Sequence, residues 1–189
     1  MIDLEQFKMN PAEEAVLGRL VAEAKPRLIA EFGCGLSTRF WAEQSQAQIV
    51  TWDNFPDWLS EIQALFKAEP WFPRIDFRLY TVTPEGGREV EKDPVLWDGA
   101  KFDFLFLDGP RSAHPPNFGR SGTFRFATEH AAENAMIIWH DAARPHEREM
   151  ARRYLGHCAR RREGSVGWCR WESPVGGLRQ MLNRLNPLA

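Results

Sequence analysis

The chain has 189 residues, 43% of them hydrophobic and 26% charged, with a net charge of −2, which is ordinary usage for one globular domain with a substantial core. No apolar run is long enough to span a bilayer, and Met1-Ile2-Asp3-Leu4-Glu5 lacks the basic-then-apolar pattern of a secretory leader. A membrane protein and a secreted one are thereby disfavoured, and one domain over 1–189 is expected, with residues 1–11 as an N-terminal extension.

In chain order, Pro11 to Ala24 reads as a helix: Ala15, Val16, Leu20 and Val21 recur at helical spacing, Glu13 and Glu14 occupy the first turn, and Pro26 stops it. Leu28 to Phe32 is a short apolar run of the kind that forms a buried parallel strand. It leads into Gly33-Cys34-Gly35, a turn where glycine lets a ligand approach the backbone, and then into a helix opening near Ser37-Thr38. Gln48 to Trp52 is a second strand closed by Asp53-Asn54, and Pro56 starts a helix carrying Trp58, Leu59, Ile62 and Leu65. Ile75 to Val82 alternates as a third strand before a Pro84-Glu85-Gly86-Gly87 turn. Phe102 to Leu107 is a fourth strand ending in Asp108-Gly109-Pro110. An aperiodic Pro-, Gly- and Arg-rich segment follows, read as a lid or acceptor-binding loop. Thr123 to Ala132 is expected to be helical. Ala135 to Trp139 is a fifth strand closed by His140-Asp141, and Pro145 to Leu155 is a helix. Ser165 to Trp171 and Gly177 to Leu182 form a late pair with too short a connection to be parallel.

Strands alternating with helices imply right-handed crossovers and an α/β, doubly wound, mostly parallel sheet with helices on both faces and a late antiparallel strand pair. In such a sheet Glu31, Asp53, Asp108 and His140-Asp141 share the edge at the strand C-termini, where open α/β sheets bind nucleotide-like ligands. Each acid taken alone is explained by a helix cap or a turn; the four in register make the functional case. Three cysteines, Cys34, Cys158 and Cys169, have no zinc-like spacing and an odd count, so a reduced, cytoplasmic setting is expected, with Cys34 filling space in the turn. Charge is uneven: residues 1–110 carry 11 Lys/Arg against 19 Asp/Glu, and 111–189 carry 13 against 7. The basic half, with Arg152, Arg153 and Arg160-Arg161-Arg162, reads as a solvated face without the interleaved aromatics of a nucleic-acid groove.

A nicotinamide-binding turn, G-x-G-x-x-G, would need glycine where Thr38 stands. The E-x-G-x-G of Glu31, Gly33 and Gly35, with Val50-Thr51-Trp52-Asp53, Phe102 to Pro110 and Met136 to Asp141, resembles the class I S-adenosylmethionine-dependent methyltransferases, a Rossmann-like family, over residues 12–182. The resemblance implies S-adenosylmethionine as cofactor. Glu31, Gly33 and Gly35 would flank its methionine portion, with Cys34, Ser37 and Thr38 in the same loop. Asp53, with Asn54 beside it, would hold the ribose hydroxyls, and Asp108 would lie by the sulfonium and the acceptor. Ser37 replaces the third glycine of the family, and Thr81-Val82-Thr83 offers no adenine-binding acid, Glu85 being the nearest.

A small-molecule acceptor methylated on oxygen is the leading expectation, with Asp108, His140 and Asp141 as catalytic residues. His140 is either a general base or a histidine satisfied by its neighbours. Arg111, His114, Arg120 and Arg144 are candidates for binding an acidic acceptor. Asp108 and Asp141 match in place the acids of metal-dependent catechol-type O-methyltransferases, but Ala142 stands where those relatives have Asn, leaving a divalent ion one ligand short. Trp52, Trp58, Trp97 and Trp139 are read chiefly as core. A homo-oligomer is compatible with the sequence. The competing readings are a methyltransferase-like binding module without catalysis and a nicotinamide oxidoreductase.

Overall fold

The structure is a computed structural model that describes residues 9–80, 82–85, 88–91, 97–110 and 120–173. Helix α1, Pro11–Ala24, begins where the Asn10 side chain accepts from the Ala12 amide and ends at Lys25 in the left-handed region, φ 46°. Strand β1 (Leu28–Phe32), helix α2 (Leu36–Gln44), strand β2 (Gln48–Asp53), helix α3 (Pro56–Phe66) and strand β3 (Ile75–Leu79) follow in alternation. Strands β4 (Val82–Glu85) and β5 (Arg88–Glu91) form a separate antiparallel hairpin. Then come β6 (Phe102–Leu107), α4 (Ser121–His130), β7 (Ala131–Trp139), α5 (Pro145–Tyr154), β8 (Arg161–Glu163) and β9 (Val166–Arg170).

Seven strands make one sheet in the order β3-β2-β1-β6-β7-β9-β8. The first five in that order are parallel; β9 is antiparallel to β7, and β8 to β9. Successive residues of a strand face opposite sides of the sheet. Ile29, Ile49, Phe104, Phe106 and Ile138 therefore pack under α1, α2 and α3, while Ala30, Phe32, Trp52, Leu105, Leu107 and Trp139 pack under α4 and α5. Both faces are covered, which is why these strands read as continuous apolar runs. The expected doubly wound α/β architecture is present.

Three expectations are corrected. The third strand stops at Leu79 because Leu79 already pairs with Asp53, the last residue of β2; Val82 to Glu85 instead pairs with Arg88–Glu91, so Pro84 and Glu85 lie in a strand, not a turn. Helix α4 ends at His130, not Ala132, and β7 starts at Ala131, four residues early. The exposed Glu133-Asn134 pair reads as loop in the sequence, yet Asn134 takes a left-handed conformation, φ 63°, and the strand absorbs it through a register shift opposite β6. The late antiparallel partner is Arg161–Glu163, turned by Gly164 at φ 58°; Gly177 to Leu182 lies outside the described residues.

Candidate active site at the strand ends

Chain order reverses between β1 and β6, where open sheets form their binding crevice. There the turns after the two strands touch. Gly33 has φ 95°, and a Cβ on it would lie 3.2 Å from the Gly109 nitrogen; a Cβ on Gly109 would lie 2.8 Å from the Gly33 nitrogen, with backbone on both sides. Only glycine fits either position. Trp58 of α3 donates from its indole to the Cys34 carbonyl at 2.7 Å and holds the loop from above.

Glu31 lies beneath this loop, wholly buried. Its carboxylate accepts from Trp41 Nε1 at 3.0 Å, Thr51 Oγ1 at 2.7 Å and Thr38 Oγ1 at 2.5 Å, and Thr38 Oγ1 in turn accepts from the Gly35 amide at 2.9 Å. Burial pushes the Glu31 carboxyl up to about 7 against the lowering effect of hydrogen bonds from Ser37, Thr38, Thr51 and Trp41. Glu31 and the equally buried Thr38 thus brace the loop from behind, and the surface beside a ligand passes to Gly33 and the half-buried Ser37. The Cys34 thiol is pushed up by burial and by the Asp53 and Glu31 charges, so it is neutral filling and no nucleophile.

Asp53 closes β2 with one oxygen accepting from the Cys34 amide at 3.1 Å and the other from the Phe55 amide at 2.9 Å. Burial raises its carboxyl against the pull of these backbone donors. Each oxygen keeps a lone pair for a further donor, and Asn54 sits half-buried beside it.

The second half of the site forms where β6 and β7 end. His140 Nδ1 lies 3.0 Å from Asp108 Oδ1 and its Nε2 lies 3.4 Å from Glu13 of α1. Glu13 also accepts from Ser165 Oγ. Burial would lower the His140 pKa, but the Asp108 hydrogen bond and the Asp108, Asp141 and Glu13 charges outweigh it and raise it to about 9. Asp108 is pushed up by burial and more strongly down by His140, Arg120 and Arg144, and ends below the ordinary carboxylate range. At neutral pH the pair is an imidazolium donating to a carboxylate, the arrangement expected of a histidine satisfied by its neighbours. A raised pKa in the folded state adds stability that is complete below about pH 6.5 and lost as pH rises through about 9. His140→Gln is expected to abolish that decline, which is on the order of 3 kcal/mol and is measured by urea unfolding across pH 6 to 10.

The sequence offers Arg120 as a candidate for the acceptor, but it is 3% exposed and points inward. Its guanidinium donates to Asp108 Oδ1 at 3.0 Å, Asp141 Oδ2 at 3.1 Å, and the backbone carbonyls of Asp108 at 2.8 Å and His140 at 2.9 Å. Arg144 adds a contact to Asp141 Oδ2 at 2.7 Å. Ligand atoms of Asp108, His140 and Asp141 lie within 4.8 Å of one another, as a divalent ion would need. The same oxygens already hold two guanidiniums and an imidazolium, and Ala142 supplies no further ligand. A divalent ion does not fit this set of groups, and none is invoked below. Neither Arg120 as the bridge nor Glu13 and the buried Glu147 (3.8 Å from Arg120) as its neighbours was legible in the sequence; only the convergence of the strand ends was. Arg111 and His114 lie outside the described residues, as does Thr81 beside the expected adenine position.

No family model matches the chain, and no curated protein matches it in sequence. Solved structures do. A methyltransferase-like protein from Silicibacter pomeroyi is 19% identical, with a TM-score of 0.65 over 93% of this chain and 94% of that one. An SAH-bound methyltransferase from Podospora anserina is 16% identical, with a TM-score of 0.63 over 87% and 80%. An O-methyltransferase from Bacillus cereus, solved in complex with SAH, is 16% identical, with a TM-score of 0.61 over 87% and 83%. The chain has the class I methyltransferase fold. Within that fold the glycine turn after β1 and the acid closing β2 stand at the crevice beside the chain reversal, and the Asp108–His140 pair stands across the crevice on β6 and β7. Among the described residues no helix is long and apolar enough to cross a membrane.

Proposed function

We propose that this methyltransferase-fold chain is an S-adenosylmethionine-dependent methyltransferase acting on the oxygen of a small, acidic acceptor. The observation that carries the reading is the meeting of the Gly33 and Gly109 turns at the chain reversal, with Asp53 on one side and Asp108–His140 on the other. The two SAH-bound structures of the same fold support the choice of cofactor. When bound, the cofactor supplies a methyl group on a sulfonium, a good leaving group.

The residues then have distinct work. Gly33 lets the ligand lie against the loop backbone, and Asp53 and Asn54 meet the ribose hydroxyls. The ionised Asp108 sets a negative charge facing the cationic centre. Catalysis here is mostly alignment, which supplies roughly 7–11 kcal/mol in favourable cases. The protonated His140 and the Arg144 guanidinium favour an acceptor that arrives as an anion and needs no base; that charge match supports an acidic acceptor. Free, unlinked cysteines support a reducing, cytoplasmic setting.

The test is calorimetric titration of the full chain with S-adenosylhomocysteine. Micromolar binding is expected, with Asp53→Ala at least tenfold weaker, the loss of one or two hydrogen bonds to a charged group. No binding, or tighter binding of NADH, overturns the proposal.

A further inference from the structure

Cys169 lies in β9 opposite Ile137 and faces the α4 and α5 side of the sheet, in the same apolar cluster as Cys158, which follows α5. The chain after α5 is pinned to the end of β9. The Cys158 amide donates to the Leu155 carbonyl at 3.1 Å. His157 Nε2 donates to the Glu172 carbonyl at 2.9 Å, and the His157 ring meets Trp171 edge-on with centroids 4.9 Å apart. These contacts bring the two thiols into a hydrogen bond with each other. The thiols differ in access. Cys158 forms part of the wall of an open depression of about 400 Å³ beside α5, whereas Cys169 takes no part in that wall and is 1% exposed. They also differ in charge. The hydrogen bond from Cys169, the Glu172 amide and the His157 charge hold the Cys158 thiol below its ordinary range against burial. The bond to Cys158 and burial push Cys169 up, so the shared proton stays on Cys169. Among the described residues no third histidine, cysteine or acid joins the pair within metal-binding reach, and two ligands do not make a zinc site. What remains open to the pair is thiol chemistry.

We propose that Cys158 and Cys169 form a peroxide-reactive dithiol, in which Cys158 attacks and Cys169 resolves. A thiolate that a small oxidant can reach, beside a second cysteine, is the arrangement from which a sulfenic acid passes to a disulfide. In the first step the Cys158 thiolate attacks one oxygen of hydrogen peroxide. The S–O bond forms, the O–O bond breaks, and the departing hydroxide takes a proton to become water. In the second step the Cys169 sulfur attacks the Cys158 sulfenic acid. The S–S bond forms, the S–O bond breaks, and the hydroxide leaves as water with the Cys169 proton. The two thiols together lose two electrons and two protons, and one peroxide is reduced to two waters. The bond ties the chain after α5 to β9. The pair stands apart from the cofactor crevice and does not depend on the function proposed above.

The experiment is treatment of the full chain with hydrogen peroxide in modest excess at pH 7, followed by alkylation of the free thiols in denaturant and peptide mapping by mass spectrometry. The structure holds three free cysteines, Cys34, Cys158 and Cys169. The last two are expected to vanish together into one cross-linked peptide that dithiothreitol reopens, while Cys34 is still alkylated. Their loss is expected to be at least about tenfold faster than that of glutathione under the same conditions. In Cys169→Ser the sulfenic acid is expected to persist on Cys158 and to be trapped by dimedone; in Cys158→Ser the Cys169 thiol is expected to survive. Thermal melting shows whether the variants fold, and should neither fold, the parent protein alone decides. Survival of all three thiols, a disulfide that includes Cys34 or links two chains, a rate no greater than that of glutathione, or no dimedone adduct in a folded Cys169→Ser protein would each overturn the proposal.

Discussion

Replacing Arg120 with alanine is expected to destabilise the protein by about 3 kcal/mol. The guanidinium answers two carboxylates and two backbone carbonyls from the ends of β6 and β7. Its loss leaves Asp141 to Arg144 alone, Asp108 to His140 alone, and the buried Glu147 without its nearest cation. Asp108 is more than one-third exposed, so water offsets part of the loss there, and the figure stays at the low end of the range for breaking a buried pair. Arg120→Lys is expected to recover about half, because one ammonium cannot span four acceptors. The acid limb is informative as well. Asp108 sits below the ordinary range in the folded chain, so its contribution is present above about pH 4 and lost as pH falls through its folded value. Without Arg120 that limb should flatten. Chemical unfolding of the three proteins between pH 3 and 8 measures all of this, and a change under 1 kcal/mol for Arg120→Ala would show that the bridge contributes little.

Glu31→Ala is expected to cost about 3 kcal/mol at pH 5. Three buried donors lose their acceptor, and the Trp41 indole, unlike the two threonine hydroxyls, cannot rotate to find another. The Gly35 loop, held through Thr38, should loosen with it, so S-adenosylhomocysteine affinity should fall even though Glu31 is fully enclosed. Glu31→Gln separates charge from shape. A carboxyl raised to about 7 in the folded chain gives stability that is full below about pH 4.5 and lost as pH rises through 7, a decline of roughly 3 kcal/mol. The glutamine variant lacks that decline, so its deficit relative to the parent should shrink between pH 5 and 8. This window lies below the one assigned to His140, and the two are separable in one pH series. A constant deficit would mean that Glu31 is ionised throughout.

These two residues also show what kind of information the sequence carries. Element type was legible wherever burial dictates pattern. The β1, β2, β6 and β7 runs are apolar because helices cover both faces, and α1 carries its own stop signal in Pro26. The placing of Glu31, Asp53, Asp108 and His140-Asp141 along one edge follows from parallel pairing and needed no coordinates beyond the order of elements. The end of β3 was not legible, because its alternation runs on past the last residue its neighbour can pair. The β8 strand was not legible, because three exposed, charged residues, Arg161 to Glu163, look like loop and become a strand only by pairing with β9.

At the site the division is sharper. Residue identity and spacing determined which chemical groups the edge would carry. Direction, partner and charge state were decided by tertiary contacts between residues far apart in the chain: Thr51 and Trp41 turn Glu31 inward, Glu13 of the first helix helps keep His140 protonated, and Arg120 closes the space between Asp108 and Asp141. Such contacts leave no periodic mark, since each depends on which side chains two separate crossovers bring within about 3 Å, the reach of a hydrogen bond.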